Sequence, residues 1–186
     1  RFLIPLCAFA VPIVATAQTY PTKPLRMIVP FPAGGGADVV GRIVAQKLSE
    51  RMGQQVIVDN RPGAGGSVGT EAAVRAAPDG YTMVVASTSQ IAINPGLYKN
   101  LKYDPVRDLA PLAILGSTPV VLIVHPSLRV RTAKELIALA KARPKELNVA
   151  SAGNGTITHL GGELFKSMAD VTWMHVPYKG APPAMT

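Results

Sequence analysis

The segment LRMIVPFPAGGGADVVGRIVAQKL, residues 25–48, contains the pattern that decides the fold. Leu25–Pro30 is a short apolar run that ends at a cluster of proline and glycine, which predicts a buried strand. Apolar residues then recur at helical spacing from Ala37 to Met52, and Gly53 is a typical helix end. A strand, a glycine-rich loop and a helix in this order form the unit from which helix-covered parallel sheets are built.

The same unit recurs along the rest of the chain. Apolar runs predict further strands at residues 55–60, 81–87, 112–115, 120–124, 147–151 and 172–177. Helical spacing predicts helices at residues 67–77, 132–142 and 157–169, the second beginning with a capping box of Thr132 and Glu135. The sequence therefore predicts an α/β fold with mostly parallel sheets flanked by helices. In such sheets ligands bind beyond the carboxyl ends of the strands.

The first seventeen residues have the features of a secretory signal peptide. Arg1 is followed by an apolar stretch to Val14, and Ala15-Thr16-Ala17 resembles a cleavage site before Gln18. The stretch is short for a membrane span, and two prolines interrupt it. A buried N-terminal strand or helix is the alternative. Because the chain begins with Arg and stops where a helix is predicted to start, we expect a fragment cut at both ends.

Composition excludes several classes of protein. With 48% hydrophobic and 16% charged residues the chain is not intrinsically disordered. The net charge of +8 is scattered and lacks interleaved aromatic residues, which argues against nucleic-acid binding and fits an anionic small ligand only weakly. Cys7 is the only cysteine and would leave with the signal peptide. This excludes a disulfide scaffold, a thiolate zinc site and cysteine catalysis.

Two glycine-rich loops precede predicted helices and are candidate ligand sites. The first glycine loop, PFPAGGGAD at residues 30–38, follows the first strand, and the second glycine loop, GNGT at residues 153–156, follows the strand at 147–151. Glycines let a ligand approach the backbone, and amides at a helix start favour an anion. Thr156 can cap the following helix. The alternative is a tight turn without a ligand, but two such loops facing each other would hold a carboxylate from both sides.

A formal G-x-S-x-G motif at Gly65–Gly69 raises the alternative of a secreted serine hydrolase using Ser67. Seven residues, including a proline, separate Ser67 from the strand residue Asp59, whereas an esterase needs the serine on a sharp turn directly after a strand. Ser67 also suits a helix N-cap. A third reading, an NAD-binding enzyme, is contradicted by the export signal and by Val68, which stands where the dinucleotide fingerprint needs glycine.

The remaining candidates for chemistry do not form a constellation. His125, His159 and His175 lie in separate segments without metal-ligand spacing, and the eleven carboxylates are dispersed. His159 follows the second glycine loop and can reach a ligand there, although a structural hydrogen bond is the alternative. We therefore predict no metal, no cofactor and no catalytic residue.

Eight phrases in register carry a resemblance to a known family. In order they are PFPAGGGAD, DNRPGAGGSVG, APDGYT, NPGLY, YDPVRDLAPL, ELIALAKARP, SAGNGTITHLGGELF and HVPYKGAPPA. The chain resembles the Bug family, periplasmic substrate-binding proteins of tripartite tricarboxylate transporters, from about residue 21 onwards. The family pattern continues beyond PPA with a segment that returns to the first lobe and is missing here.

The resemblance implies a two-lobed periplasmic-binding-protein fold, type II-like and truncated at the C-terminus. Residues 1–17 would be the signal peptide, residues 18–119 an incomplete first lobe and residues 120–186 a partial second lobe. It implies a monomeric periplasmic receptor, not an enzyme, that captures a small carboxylate between the lobes. The implied partners are that ligand and the integral-membrane subunits of the transporter.

The resemblance also implies the ligand contacts, largely backbone amides from one loop of each lobe. In this sequence they are Phe31, Pro32, Ala33, Gly34, Gly35 and Asp38 in the first glycine loop, Ser87, Ser89 and Gln90 after the third strand, Gly153, Asn154, Gly155 and Thr156 in the second glycine loop, and Tyr178. His159 joins this list because of its position in the helix that follows the second glycine loop.

Overall fold

The computed structural model describes residues 19–186, and the proposed signal peptide lies outside this range. The strands are β1 (Leu25–Val29), β2 (Val56–Asn60), β3 (Thr82–Val84), β4 (Asn148–Ser151) and β5 (Met174–Pro177). The helices are α1 (Gly36–Met52), α2 (Ser67–Val74), α3 (Asn94–Leu97), α4 (Ala133–Ala142), α5 (Ile157–Ala169) and α6 (Ala181–Ala184). Two short 3₁₀ turns, Ala64–Gly66 and Pro126–Leu128, and a π-helical turn, Ser89–Ile93, complete the elements.

The first sheet has the order β2-β1-β3, with all strands parallel. The register pairs Leu25 with Val56 and Arg26 with Thr82. Because β1 is central, its side chains are buried on both faces, and its apolar residues pack against Ala45 of α1. The continuous apolar run of β1 is what a central parallel strand requires.

Helix α1 ends where its sequence predicts and connects directly to the sheet. Gly53 adopts the left-handed conformation with φ 66°, and its N–H donates to the carbonyl of Ser49 at 3.1 Å. The hydroxyl of Ser49 accepts from the N–H of Val56, the first residue of β2, at 2.9 Å. The turn between α1 and β2 is therefore held by one serine.

The second sheet pairs β4 with β5 in parallel. Its core consists of Ala140, Val171 and Trp173, with the ring of Phe165 stacked on Trp173 at a centroid distance of 5.5 Å. Helix α5 covers this sheet and begins at Ile157, directly after the second glycine loop. Both sheets thus repeat the strand, glycine loop and helix unit.

The prediction of strands at residues 112–115 and 120–124 is wrong for the described structure. Both segments lack regular structure, and their apolar side chains are exposed, with Ile114 at 94%. A strand needs a neighbouring strand for its hydrogen bonds, and none pairs with these segments within residues 19–186. The helix predicted at 67–77 ends at Val74, and β3 is shorter than predicted. The π-helical turn and α3 occupy a stretch for which the sequence predicts no element.

Among the helices of residues 19–186, none combines the length and the apolar character needed to cross a membrane.

Candidate functional site

The first glycine loop lies at the carboxyl end of β1. Its last residue, Asp38, bonds back to the loop backbone at Gly34. The buried carboxylate of Asp38 accepts from the N–H of Gly34 at 2.8 Å and from Arg42 Nε at 2.9 Å. Asn60, the last residue of β2, donates from Nδ2 to Asp38 Oδ1 at 2.8 Å and to the carbonyl of Phe31 at 3.1 Å. One carboxylate and one carboxamide therefore set the shape of the loop.

The charge of Asp38 is balanced within the protein. The hydrogen bond from Arg42 is the main cause that lowers the pKa of Asp38 to about 2, and Gly34 and Asn60 act in the same direction against burial. The carboxylate is therefore ionised at neutral pH, and the Arg42 guanidinium compensates its charge. Both of its oxygens face protein donors, so Asp38 shapes the loop instead of presenting an oxygen to a ligand.

The start of α1 carries amide donors without a protein acceptor. Its N-cap, Gly35, has extended backbone (φ −79°, ψ 165°), and no side chain caps the helix. Within residues 19–186 no acceptor is found for the amides of Gly36 and Ala37. These amides lie at the positive end of the dipole of a 17-residue helix. This arrangement favours an anion at the helix start.

The second glycine loop uses most of its amides within the protein. The N–H of Gly153 donates to Ser151 Oγ at 3.1 Å, and that of Thr156 donates to the carbonyl of Gly153 at 3.2 Å. The N–H of Gly155 points to His159 Nδ1 at 3.4 Å. The Thr156 hydroxyl is buried, donates to the carbonyl of Gly153 at 2.7 Å and caps α5, as its sequence predicts. Asn154 is the exposed residue of this loop.

Two stacked histidines support the second glycine loop. The rings of His159 and His175 are stacked at a centroid distance of 4.2 Å, and His175 Nε2 is 2.7 Å from the Oγ of Ser151. Burial is the main cause that lowers the pKa of His175, and the neighbouring His159 contributes. The ring of His159 is thus engaged with the loop backbone and with His175, which corresponds to the structural alternative for this residue.

The two halves of the chain touch at two places, one at each glycine loop. A Cβ on Gly180 would lie 2.6 Å from Pro32 Cγ, so the first glycine loop lies against the segment before α6. A Cβ on Gly65 would lie 2.8 Å from the carbonyl oxygen of Asn154, which in turn accepts from the Tyr98 hydroxyl at 3.1 Å. We call the second contact the seam: Gly65, Asn94 and Tyr98 on one side, Asn154 and Gly155 on the other.

The three candidates after β3 lie beneath the seam. Gln90 is fully buried and donates from Nε2 to the carbonyl of Gly65 at 3.1 Å. Its Oε1 accepts from the N–H and the hydroxyl of Ser87 at 2.8 and 2.7 Å. Ser89 is also buried. Gln90, itself held by Ser87, therefore supports the turn at Gly65, and a Cβ on Gly66 would fall 1.6 Å from Gln90 Nε2.

The remaining predicted site residues lie at the loop surfaces. Ala33 and Tyr178 are exposed, and Phe31, Pro32 and Gly35 are half-buried. The N–H of Tyr178 donates to the carbonyl of Ser151 at 3.0 Å, which ties the end of β5 to the second glycine loop. The backbone of the first glycine loop, Asn154 and Tyr178 are thus the parts of the predicted site that are accessible to a ligand.

The geometry does not support catalysis at Ser67. Its side chain is buried, and its hydroxyl accepts from Asn94 Nδ2 at 2.9 Å instead of contacting a histidine. Gly66 is the N-cap of α2 and Ser67 its first residue, so the predicted cap is displaced by one position. Within residues 19–186, no three histidine, cysteine, aspartate or glutamate side chains are grouped as a metal site requires.

The residues that hold the site together are not among those that the sequence predicts. Asn60 and Arg42 support the first glycine loop, and Asn94 and Tyr98 lie at the seam. The only signal for the last two is that they lie within the phrase NPGLY, which carries part of the resemblance. No local pattern indicates that Asn60, at the end of one strand, reaches a loop that follows another strand.

Comparison with known proteins assigns the chain to a family. Residues 40–186 match the model described as the tripartite tricarboxylate transporter family receptor. The chain belongs to this family. BugT of Bordetella pertussis is 42% identical over 171 residues, which cover 91% of this chain and 52% of BugT. This family consists of substrate-binding receptors and not of enzymes, so the hydrolase alternative is set aside.

Solved structures match the fold, and two of them hold a named ligand. The Rpa4515 protein of R. palustris with adipate has a TM-score of 0.79 and 34% identity, covering 89% of this chain and 56% of that one. MatC of Rhodopseudomonas palustris with bound malate has a TM-score of 0.83 and 30% identity at the same coverage, 89% and 56%. The predicted periplasmic-binding-protein fold is confirmed. The chain spans about half the length of these relatives.

Proposed function

We propose that the protein is a periplasmic receptor that binds a small carboxylate between two lobes and delivers it to the integral-membrane subunits of a tripartite tricarboxylate-type transporter. The lobes would be residues 18–119 and 120–186, and residues 1–17 would be removed on export. The receptor would act as a monomer without a cofactor. Adipate and malate, bound by two structural relatives, are both dicarboxylates, which supports this ligand class.

The observation that carries the proposal is the uncapped start of α1, where the backbone amides of Gly36 and Ala37 have no acceptor within residues 19–186. In a parallel sheet of order β2-β1-β3, the carboxyl end of central β1 is where ligands bind. The amides of Gly36 and Ala37 offer a carboxylate charge-assisted hydrogen bonds. Neutral amides also leave no unpaired cation when the ligand departs, which suits a receptor that must release its cargo.

The second glycine loop has a different part in this proposal. Because most of its amides already donate within the protein, it would form one side of the ligand site and contact the opposite lobe. The first glycine loop would supply the main hydrogen-bond donors for the anion. The ligand would meet the backbone from Phe31 to Ala37 and the exposed Tyr178 ring. These surfaces would be held in position by five further predicted residues, namely Asp38, Ser89, Gln90, Thr156 and His159.

A ligand screen on the full-length protein tests the proposal directly. Thermal unfolding is measured with mono-, di- and tricarboxylates and with the corresponding neutral amides, for example succinate and succinamide. A ligand at 100 times its Kd stabilises the folded state by about 2.7 kcal/mol, which is easily detected. Stabilisation by a carboxylate and not by its amide supports the proposal. If no carboxylate raises the melting temperature, the proposal is wrong.

A pair of variants at Gly36 then tests the donor itself. Gly36 is the first residue of α1, where proline is tolerated, and the extended backbone of Gly35 suits a following proline. Gly36→Pro removes one N–H and should weaken carboxylate binding about tenfold to a hundredfold. Gly36→Ala retains the amide, and its Cβ has open space, so most of the affinity should remain. Equal affinity in both variants would contradict this mode of binding.

A further inference from the structure

The stacked rings of His159 and His175, which we call the histidine pair, are connected to two amides of the second glycine loop. His159 Nδ1 accepts from the N–H of Gly155 at 3.4 Å. His175 Nε2 lies 2.7 Å from Ser151 Oγ, which accepts from the N–H of Gly153 at 3.1 Å. Each ring therefore holds one amide of the loop, His159 directly and His175 through the Ser151 hydroxyl.

These bonds require both rings to be neutral, because an imidazolium carries a proton on each nitrogen and can accept at neither. A proton on His159 would turn Nδ1 towards the N–H of buried Gly155 as a second donor, and no other acceptor is found for that N–H within residues 19–186. A proton on His175 would leave the hydroxyl proton of buried Ser151 without an acceptor among the described residues. A buried donor without an acceptor is unfavourable, so either proton weakens the support of the loop.

The surroundings of the histidine pair also favour the neutral rings. The ring centroids are 4.2 Å apart, so a proton on one ring repels a proton on the other. Apart from His175 itself, β4, β5, α6 and the second glycine loop contain no charged or titrating side chain. On α5, Glu163 favours a proton on His175 and Lys166 opposes it, and these two side chains form an ion pair with each other.

The sign of the pH effect follows from His175. Burial is the main cause that holds the pKa of His175 below its usual value of 6.5. A histidine whose pKa is lowered by folding contributes stability above its unfolded pKa, and this contribution is lost as the pH falls through the lower pKa of the folded state. The support of the loop is therefore complete at neutral pH and is lost in mild acid.

The loop residues held by the histidine pair lie at contacts that the proposed function assigns to the ligand site. Gly155 lies at the seam, where an added Cβ would be 2.9 Å from Asn94 Oδ1. Gly153 lies against the segment after β5, where an added Cβ would be 2.8 Å from the carbonyl oxygen of Tyr178. A displacement of the two glycines would therefore disturb both the seam and the position of Tyr178.

We propose that the histidine pair is a pH-sensitive support of the second glycine loop, which holds the loop while both rings are neutral and releases it when either ring takes up a proton below about pH 6.5. Carboxylate affinity therefore falls in mild acid. This inference rests on the proposed function, and it adds a regulation of the same site. The two histidines are positioning residues that need not touch the ligand, because their effect passes through the amides of Gly153 and Gly155.

A titration without ligand tests the support directly. In the isotope-labelled full-length protein, NMR follows the imidazole signals and the amide signals of Gly153 and Gly155 from about pH 8 to about pH 5. The two amides should shift with the same midpoint as the imidazoles, below about pH 6.5. Glycine amides that do not titrate in the unaltered protein would overturn the inference.

Variants assign the titration to the histidine pair. In the double variant His159→Asn, His175→Gln, the side-chain oxygens can accept in place of Nδ1 and Nε2 without titrating, so the glycine amides should no longer shift. His125→Asn is the matched control, because His125 hydrogen-bonds to Ser127 within its own turn, and it should leave the titration unchanged. Amides that still titrate in the folded double variant would contradict the proposal. If that variant does not fold, the titration of the unaltered protein decides.

Calorimetry measures the consequence for binding. The Kd values of malate and adipate, the ligands of two structural relatives, are determined at about pH 7.5, 6.5 and 5.5 for the unaltered protein and the double variant. The ratio of the two Kd values at each pH cancels the ionisation of the ligand itself. Between the highest and the lowest pH the unaltered protein should lose about tenfold in affinity relative to the double variant. The His125→Asn control should follow the unaltered protein.

The outcomes separate this inference from the proposed function. A constant ratio would overturn the inference and leave the proposed function intact. A relative gain of affinity in acid, as expected if an imidazolium only attracts the anion, would do the same. If no carboxylate binds at any pH, the proposed function fails together with the effect on affinity, and the amide titration alone decides whether the histidine pair supports the loop.

Discussion

In the first glycine loop, the amides at the start of α1 have no acceptor within residues 19–186, whereas most amides of the second glycine loop donate to acceptors within the protein. Both loops follow a parallel strand, contain two or more glycines and precede a long helix. The difference lies in the supporting side chains. Asp38 and Asn60 hold the first loop by a single amide and a carbonyl, while Thr156 caps α5 and Ser151 and His159 occupy the amides of the second loop.

This difference assigns different physical tasks to two loops of similar composition. A helix start without a cap has unsatisfied donors that an anion can use, whereas a capped start has few to offer. We therefore expect changes at the first glycine loop to act on ligand affinity through the anion donors. Changes at the second loop should act through closure of the seam. The predictions below test this division, beginning with the largest expected effect.

Asp38→Ala should have the largest effect, because it removes the acceptor of three donors that shape the first glycine loop. We expect a loss of about 3 kcal/mol of unfolding free energy and a more than hundredfold weaker carboxylate affinity. Urea unfolding and calorimetry on the full-length protein measure these quantities.

Asp59→Ala is the matched control, since Asp59 pairs with Arg26 and Arg61 but does not contact the loop. It should reduce stability and leave the affinity nearly unchanged. If Asp59→Ala weakens binding as much as Asp38→Ala does, the loop-specific role of Asp38 is wrong.

The low pKa of Asp38, about 2, predicts acid sensitivity of the same loop. A carboxyl whose pKa is lowered by folding contributes stability above its unfolded pKa of about 3.9, and this contribution is lost as the pH falls towards 2. Asp38 should therefore contribute about 2 kcal/mol at neutral pH that disappears between about pH 4 and pH 2.

Unfolding free energies of the unaltered protein and of Asp38→Asn, measured from pH 5 to pH 2, isolate this contribution. The difference between the two proteins should shrink as the pH falls. A difference that stays constant over this range would show that ionisation of Asp38 does not stabilise the fold.

Gly155→Ala should affect the seam more than the fold. Gly155 has φ 77°, and an added Cβ would lie 2.9 Å from Asn94 Oδ1 and 3.0 Å from Leu97 Cδ2. Gly53→Ala is the matched control, because Gly53 has φ 66° with nothing within 4 Å of an added Cβ. Each should cost about 1 kcal/mol of stability through the left-handed backbone.

Calorimetry should then separate the two glycine variants. Gly155→Ala should weaken carboxylate binding about tenfold because it crowds the seam, while Gly53→Ala should keep the affinity of the unaltered protein. Similar affinities in both variants would mean that the seam does not close around the ligand.

The sequence predicted most of the regular elements, because these depend on local periodicity. The run Leu25–Val29 and the spacing along α1 are sufficient to predict a buried strand and its covering helix. The loops were located correctly but treated as equivalent. Their difference depends on contacts between residues far apart in sequence, such as Asn60 with Asp38 and Asn94 with Gly65.

The strands wrongly predicted at residues 112–115 and 120–124 also reflect the absence of information about distant contacts. Their composition favours extended structure, but a strand also needs a hydrogen-bonding partner, and composition cannot supply one. Ser89 and Gln90 illustrate a related limit. Their position after β3 was predicted correctly, whereas their burial beneath Gly65 depends on a turn formed by a separate part of the chain.

Tyr98→Phe should have the smallest effect and the most specific one. The Tyr98 hydroxyl donates across the seam to the carbonyl of Asn154 at 3.1 Å, and this bond would be lost if the two sides of the seam separated. Losing one neutral, partly exposed hydrogen bond should weaken affinity about threefold, mostly through faster ligand dissociation.

Tyr103→Phe is the control, since the Tyr103 hydroxyl donates to the carbonyl of Gln90 at 3.0 Å within one side of the seam. It should lower unfolding free energy by about 1 kcal/mol without changing the dissociation rate. Stopped-flow dissociation of a bound carboxylate compares the two variants. An unchanged rate in Tyr98→Phe, or a faster rate in Tyr103→Phe, would contradict a closing role for the second glycine loop.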